Sequence, residues 1–256
     1  MRFVSRTSSD GVTEQLFTLS SAFGDVPGVL WTPDGVPGPR PLILLGHGGG
    51  QHKKAPGMAE RARRFAAECG YAAVAVDAPA HGDRPREEDH DRVIAELRDR
   101  MRTGGEAAPV LAEFHALLAA QSVPEWRAVL DAVQELDRVG TGPVGYWGVS
   151  LGCALGIPFI AAEPRIRAAV LGLNGVDTSA GAAGQITVPL EFLVQWDDER
   201  VPRAASLALF DLFASAEKTL HANPGGHAEV PAHELDSALR FFTRHLGRRP
   251  GAPGAS

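Results

Sequence analysis

A serine between two glycines carries the clearest chemical signal in the sequence. Residues 148–152 read GVSLG and follow the apolar run 143–147, so they match the pattern G-x-S-x-G with Ser150 at its centre. This is the pattern of a nucleophile elbow, a tight strand-to-helix turn that holds a serine hydroxyl clear of the backbone. Glycines suit the turn because a Cβ on either side of the serine would clash. A Gly/Ser turn without chemistry has the same five letters, so a base, an acid and an oxyanion hole must come from elsewhere.

His227 is the candidate general base. It ends the loop sequence NPGGH at 223–227, after a predicted strand and before a predicted helix. A general base must come within about 3 Å of the serine hydroxyl. A Gly-Gly loop lets an imidazole project into a cleft without the constraints of a helix. A surface-loop histidine is the alternative, because the chain has 9 histidines.

The candidate acid comes from a pair of adjacent aspartates. Asp197 and Asp198 follow the predicted strand 190–195. The acid accepts a hydrogen bond from the histidine Nδ1–H, fixes the tautomer and stabilises the imidazolium. Because neighbouring residues of an extended segment point in opposite directions, only one of the two faces the histidine. The spacing in residues 198–202, which read DERVP, favours Asp198, so we rank Asp198 first, Asp197 second and Asp177, beyond the preceding strand, third.

A glycine-rich segment after another strand is the candidate oxyanion hole. Residues 46–50 read GHGGG, which matches the HGGG-type oxyanion motif. Glycines let backbone N–H groups turn towards a developing oxyanion. The Leu151 N–H is one expected donor, and Gly49 or Gly48 supplies the second. A phosphate-binding loop is excluded because no Gly-Lys-Ser/Thr follows.

Two further groups of residues invite chemical interpretations that we do not favour. Asp77, His81 and Asp83 could be read as metal ligands, but their spacing is not that of a known zinc helix, and a structural loop beside the cleft is preferred. Cys153 lies three residues into the helix after the elbow and is expected to be buried rather than nucleophilic. The sequence thus predicts no metal site.

Strands and helices alternate along the chain, which predicts an α/β fold with a mostly parallel sheet covered by helices on both faces. In such sheets the functional loops gather at the carboxyl ends of the strands, where the four loops above would meet. The predicted strands are 13–19, 26–31, 42–45, 71–76, 143–147, 166–173, 190–195 and 217–221. The predicted helices are 56–68, 91–101, 110–120, 125–139, one that begins at 151 directly after the elbow, 204–213 and 232–246. Residues 174–184, rich in Gly and Ala, are predicted to be a flexible segment.

The predicted organisation is a single domain, residues 1–246, with a helical cap inserted at about 86–122 and a flexible tail at 247–256. The segment 86–122 is too long for a simple connection. Its apolar side chains suggest either a substrate pocket or ordinary core. These side chains are Leu111, Phe114, Leu117 and Leu118.

Composition and charge argue against nucleic-acid and membrane partners. The formal net charge of −6 argues against a nucleic-acid surface. No apolar run approaches the ~20 residues that span a bilayer, and the amino-terminal segment has no signal-peptide core. The two cysteines, Cys69 and Cys153, are expected to be reduced, which together with these features predicts a cytoplasmic protein. Monomer and homodimer both remain open.

Together these motifs resemble the α/β-hydrolase superfamily, in its dienelactone-hydrolase-like and acyl-peptidase-like branch. The resemblance covers nearly the whole chain and keeps the family's Ser…Asp…His order. This sequence departs from dienelactone hydrolases proper, because they use a cysteine nucleophile at the position of Ser150. The resemblance implies a cofactor-free serine hydrolase that cleaves a small-molecule carboxylic ester or lactone through an acyl-enzyme. Thioesterase, amidase and C–C bond hydrolase remain alternatives on the same residues, and an inert binding module is the alternative from another class.

Overall fold

A single mixed sheet forms the centre of the computed structural model, which describes residues 1–35, 38–86 and 88–247. The strands of the described residues are β1 (Arg2–Ser9), β2 (Val12–Ser21), β3 (Gly24–Pro33), β4 (Leu42–Gly46), β5 (Ala72–Val76), β6 (Val144–Val149), β7 (Ile166–Gly172), β8 (Leu190–Gln195) and β9 (Lys218–Asn223). The helices are α1 (Pro56–Cys69), α2 (Glu88–Thr103), α3 (Ala108–Gln134), α4 (Leu151–Ala162), α5 (Val176–Ala183), α6 (Arg203–Leu212) and α7 (His233–Leu246).

The strand order across the sheet is β1-β2-β3-β5-β4-β6-β7-β8-β9. Strands β4 to β9 are parallel to one another, whereas β1, β2 and β3 form an antiparallel meander that joins the sheet through β5. The predicted α/β fold is therefore confirmed. Since parallel strands end at the same edge, the loops after β4, β6, β8 and β9 meet there.

Helices cover both faces of the sheet because the inner strands are apolar on both sides. On one face, α1 and α7 pack against the sheet through side chains such as Phe65 and Phe242. On the other face, α3, α4, α5 and α6 pack through side chains such as Trp126, Phe159 and Leu209. The two layers hold the strand ends, and hence the functional loops, in fixed positions.

Helix α3 is longer than the sequence predicts. It runs unbroken through Pro124, although we expected separate helices over 110–120 and 125–139. Proline has no N–H to donate to the carbonyl of Ala120, yet packing along the whole helix outweighs that loss. The predicted end of the cap, Ser122, accordingly lies inside α3. The predicted tail lies outside the described residues from 248 onwards. In the part of the chain that the structure describes, no helix is long and apolar enough to cross a membrane.

Candidate active site

The turn between β6 and α4 has the geometry of the predicted elbow. Strand β6 ends at Val149 and α4 begins at Leu151, so Ser150 alone makes the turn. Its backbone has φ 55° and ψ −120°, a conformation that costs free energy for a residue other than glycine. The Ser150 N–H donates to the Gly172 carbonyl at 2.9 Å, which anchors the turn to β7. The turn therefore presents one side chain at the carboxyl edge of the sheet.

Close packing explains both glycines of the pentapeptide. A Cβ on Gly148 would lie 2.6 Å from the Gly152 oxygen, and a Cβ on Gly152 would lie 2.2 Å from the Gly46 oxygen. The Tyr146 hydroxyl donates to the Gly152 carbonyl at 2.7 Å and fixes the first turn of α4. The contact with Gly46 also brings the end of β4, and the glycine-rich loop after it, against the elbow.

Ser150, His227 and Asp198 lie in one chain of hydrogen bonds. The Ser150 Oγ is 3.0 Å from the His227 Nε2. The His227 Nδ1 is 2.7 Å from the Asp198 Oδ2. His227 is buried, and the side chain of Asp198 is only 3% exposed. Loops after three strands, β6, β8 and β9, thus bring together a hydroxyl, an imidazole and a carboxylate in the arrangement that general-base activation requires.

The backbone after β8 decides which of the two aspartates faces the histidine. Asp198 Oδ1 accepts the N–H groups of Arg200 at 2.8 Å and Val201 at 2.9 Å, which leaves Oδ2 for His227. Asp197 is exposed, and its Oδ2 accepts only the Gly225 N–H at 3.3 Å. Asp177, the third candidate, is exposed on the first turn of α5.

Glu199 holds the histidine loop and was not singled out from the sequence. Its Oε2 accepts the His227 N–H at 2.9 Å, and this hydrogen bond is the largest cause that lowers the pKa of Glu199. A Cβ on Gly226 would lie 2.9 Å from the same oxygen, so the glycine permits the close approach. A carboxylate directly after the acid of the site is the only sequence signal for this role.

His47 organises the glycine-rich loop after β4. It is buried, and its Nε2 accepts the Ala78 N–H at 3.0 Å, so its Nδ1 carries the proton and donates to the Gly48 carbonyl at 2.9 Å. Burial lowers the pKa of His47 to about 4, which keeps the ring neutral near pH 7. The Gly48 carbonyl also accepts the Gln51 N–H at 3.1 Å. The peptide plane between Gly48 and Gly49 is therefore fixed from its carbonyl side.

The loop after β5 is held by an ion pair. Asp77 accepts the backbone N–H of Lys53 at 2.8 Å and its ammonium at 2.7 Å, and the same ammonium lies 2.6 Å from Asp83. The Asp83 N–H donates to Asp77 at 2.9 Å. His81 turns its Nδ1 to the Pro79 carbonyl at 2.9 Å. These contacts favour the structural interpretation of the three residues over metal binding.

Cys153 is fully buried, and burial raises its pKa to about 12. A thiol that stays protonated at neutral pH is a poor nucleophile. The residue therefore contributes packing beneath the elbow, as the sequence predicts.

Helices α2 and α3 contribute an apolar cluster beside the elbow. Leu151 and Leu155 of α4 pack with side chains of the predicted cap segment. Phe114 and Leu118 are buried in this cluster, whereas Leu111 and Leu117 are half-buried. The cap stripe therefore serves as core on one side and leaves two leucines partly accessible.

A parallel sheet with helices on both faces and a serine elbow after a central strand defines an α/β-hydrolase. Comparison with solved structures agrees. A cold-adapted esterase from an Arctic intertidal metagenomic library is 32% identical, with 96% of this chain and 100% of that chain covered and a TM-score of 0.80. The chain belongs to the α/β-hydrolase superfamily.

More distant structures share the fold. An acetyl xylan esterase from Paenibacillus sp. R4 is 16% identical, with 96% of this chain and 88% of that chain covered and a TM-score of 0.71. A dienelactone hydrolase from Anabaena variabilis is 19% identical, with 92% and 99% covered and a TM-score of 0.65. No protein-family model matches the chain, and no curated protein matches it.

Proposed function

We propose that this protein is a serine hydrolase that cleaves carboxylic esters or lactones through an acyl-enzyme intermediate. The observation that carries the proposal is the continuous hydrogen-bond chain of 3.0 Å and 2.7 Å through Ser150, His227 and Asp198. Similarity to a cold-adapted esterase at 32% identity supports the ester as the bond that is cleaved.

In the proposed acylation step, Ser150 Oγ attacks the carbonyl carbon of the ester while His227 Nε2 takes its proton. Asp198 accepts the Nδ1–H of His227, holds the required tautomer and stabilises the imidazolium that forms. The imidazolium then gives its proton to the leaving alkoxide, and the acyl group remains on the serine.

Two backbone N–H groups are proposed to bind the oxyanion. Leu151 is the first residue of α4, where N–H groups lack an intrahelical acceptor and the helix dipole favours negative charge. Gly49 is favoured over Gly48 as the second donor because the Gly48 carbonyl is turned to His47 and directs the Gly49 N–H the other way. A Cβ on Gly49 would lie 3.9 Å from the Leu151 Cβ, so the two residues are neighbours.

Deacylation is proposed to repeat these steps with water. His227 removes a proton from a water molecule, which attacks the acyl carbon, and the tetrahedral oxyanion forms in the same hole. Collapse of this intermediate returns the proton to Ser150 and releases the carboxylic acid.

The Ser150→Ala variant tests the proposal. We expect kcat on a p-nitrophenyl acyl ester to fall by several orders of magnitude, with labelling by a fluorophosphonate probe abolished. The exposed Ser20→Ala variant is the matched control and should keep both properties. Ester hydrolysis at the wild-type rate by Ser150→Ala would refute the assignment. A panel of acyl esters, lactones and thioesters then ranks the acyl-transfer alternatives by kcat/KM.

A further inference from the structure

Three side chains with metal-binding atoms meet on the sheet face that α7 covers. They are Glu191 of β8, His221 of β9 and Glu234 in the first turn of α7. One potential ligand atom from each residue lies within 4.8 Å of those of the other two. None of the three belongs to the hydrogen-bond chain of Ser150. They lie on two neighbouring strands and one helix, so the group is assembled by tertiary structure rather than by a local sequence motif.

The oxygen atoms of the two carboxylates are unequally used. Glu234 Oε1 accepts the side-chain amide of Asn223 at 2.8 Å, and Glu191 Oε2 accepts the Ser237 hydroxyl at 3.0 Å. Glu191 Oε1 is buried and has no hydrogen-bond partner among the residues that the structure describes. The Glu191 residue is 4% exposed and Glu234 is 5% exposed. An unpaired carboxylate oxygen at this depth is costly and requires a partner.

The imidazole of His221 lies between the two carboxylates. Its Nδ1 is 2.8 Å from Glu234 Oε2, and its Nε2 is 3.6 Å from Glu191 Oε2. Two buried carboxylates around one imidazole therefore favour a positive charge between them.

We infer that Glu191, His221 and Glu234 form a binding site for a divalent first-row transition-metal ion, with Zn²⁺ the best match. One imidazole nitrogen and two carboxylate oxygens are a ligand set that Zn²⁺ accepts, whereas Mg²⁺ and Ca²⁺ prefer oxygen alone. Metal–ligand distances of about 2.0–2.2 Å put tetrahedral ligands roughly 3.4 Å apart, so small side-chain rotations close the site. Asn223 and Ser237 orient the carboxylates as outer hydrogen-bond partners commonly do.

The position of the site indicates a structural role. A metal here ties β8 and β9 to the first turn of α7, and the loop between β9 and α7 carries His227. A metal ion that binds only the folded state stabilises that state, here at the contact of β8 and β9 with α7. The inference does not depend on the proposed hydrolysis.

Titration of metal-free protein with ZnSO₄, followed by calorimetry, tests the site. We expect one Zn²⁺ per wild-type chain, and at least about tenfold weaker binding in Glu191→Gln and in His221→Gln. The His245→Gln variant is the matched control, because His245 pairs with a single carboxylate, Glu217, at the other end of α7. The His227→Ala variant removes the buried imidazole–carboxylate pair beside Ser150 and should still bind Zn²⁺.

A second measurement covers the case in which a cluster variant does not fold. Co²⁺ added to wild-type protein should give visible absorption bands of a low-symmetry nitrogen–oxygen site, and Zn²⁺ should abolish them and raise Tm. Absence of stoichiometric binding to wild type would overturn the site. Binding that is lost in His227→Ala and kept in folded Glu191→Gln would overturn it as well, because the ion would then lie at the serine site.

Discussion

Asp198 and Asp197 are chemically identical neighbours, so their difference in contacts makes a sharp residue-scale prediction. Asp198→Asn removes the acceptor of the His227 Nδ1–H and should lower kcat by roughly three to four orders of magnitude. Asp197→Asn changes an exposed side chain with one long hydrogen bond of 3.3 Å and should lower kcat by less than about tenfold. Steady-state kinetics on the same ester compares them, and the reverse ranking would move the acid to Asp197.

His47 is predicted to act through the Gly48–Gly49 peptide and not by contact with substrate. His47→Ala removes the donor to the Gly48 carbonyl and frees the peptide to rotate, so kcat should fall about 10²-fold while KM changes little. His81→Ala is the control. The His81 ring lies 5.4 Å from the His47 ring, but its hydrogen bond goes to the Pro79 carbonyl and not to Gly48. A larger change in KM than in kcat would contradict a role in orienting the oxyanion donor.

At the residue scale, the sequence indicated which side chains come together, but not the hydrogen bonds that hold them in position. Ser150 and His227 were named because the glycines beside them permit tight turns, and this signal is visible in the sequence itself. The ranking of Asp198 over Asp197 relied on spacing, and the hydrogen bonds to Arg200 and Val201 supply its physical cause. The positioning contacts of His47 and Glu199 depend on how distant loops fold together, which no local pattern encodes.

At the scale of elements, a buried ion pair joins the loop after β5 to α3. Arg84 donates to both carboxylate oxygens of Glu125, at 2.5 Å and 2.8 Å, and both side chains are nearly inaccessible. Arg84→Met should lower the free energy of unfolding by about 3–5 kcal/mol, because it leaves a buried carboxylate without its charged partner. Urea-induced unfolding measures the loss.

The exposed pair of Arg100 and Glu96, 2.9 Å apart on α2, provides the contrast. Arg100→Met should cost less than about 1 kcal/mol. The double variant Arg84→Met/Glu125→Leu should recover part of the loss of Arg84→Met. Equal costs for Arg84→Met and Arg100→Met would show that the buried pair contributes no more than a surface one.

Elements buried on both faces were the easiest to predict. The strand at Leu190–Gln195 was predicted with its observed bounds, because an apolar run between turn residues has few alternatives. Strand β1 was missed, since all its residues are exposed and no burial pattern marks it. Helix α5 was read as a flexible segment because it is short and rich in small residues. The continuity of α3 through Pro124 follows from packing with distant elements, which outweighs the local preference.

For the whole molecule, buried neutral histidines predict a loss of stability in acid. Burial lowers the pKa of both His47 and His115 to about 4. Between about pH 6.5 and pH 4 the unfolded chain therefore binds more protons than the folded one. The free energy of unfolding therefore decreases as the pH is lowered through this range. Acidification from pH 7 to 4.5 should cost about 2 kcal/mol for each histidine. The raised pKa of Glu191 opposes this trend.

The His115→Leu variant isolates one contribution. Its side chain is buried, and leucine has no proton to gain, so the variant should lose about 2 kcal/mol less than wild type between pH 7 and 4.5. Urea unfolding at the two pH values gives both differences. An unchanged pH dependence would mean that His115 gains a proton as readily in the folded protein as in the unfolded chain.

Helix α3 has a mechanical consequence. Its 27 residues make a rod about 40 Å long. The first half contributes Val110, Phe114 and Leu118 to the cluster beside the elbow, and the second half contributes Trp126 and Val129 to the main core. A rod clamped at one end by the core cannot swing as a free lid. Helix α2 adds Val93 to the same cluster, so exchanging α2 alone should change the apolar surroundings of Leu151 while the sheet and α3 stay in place.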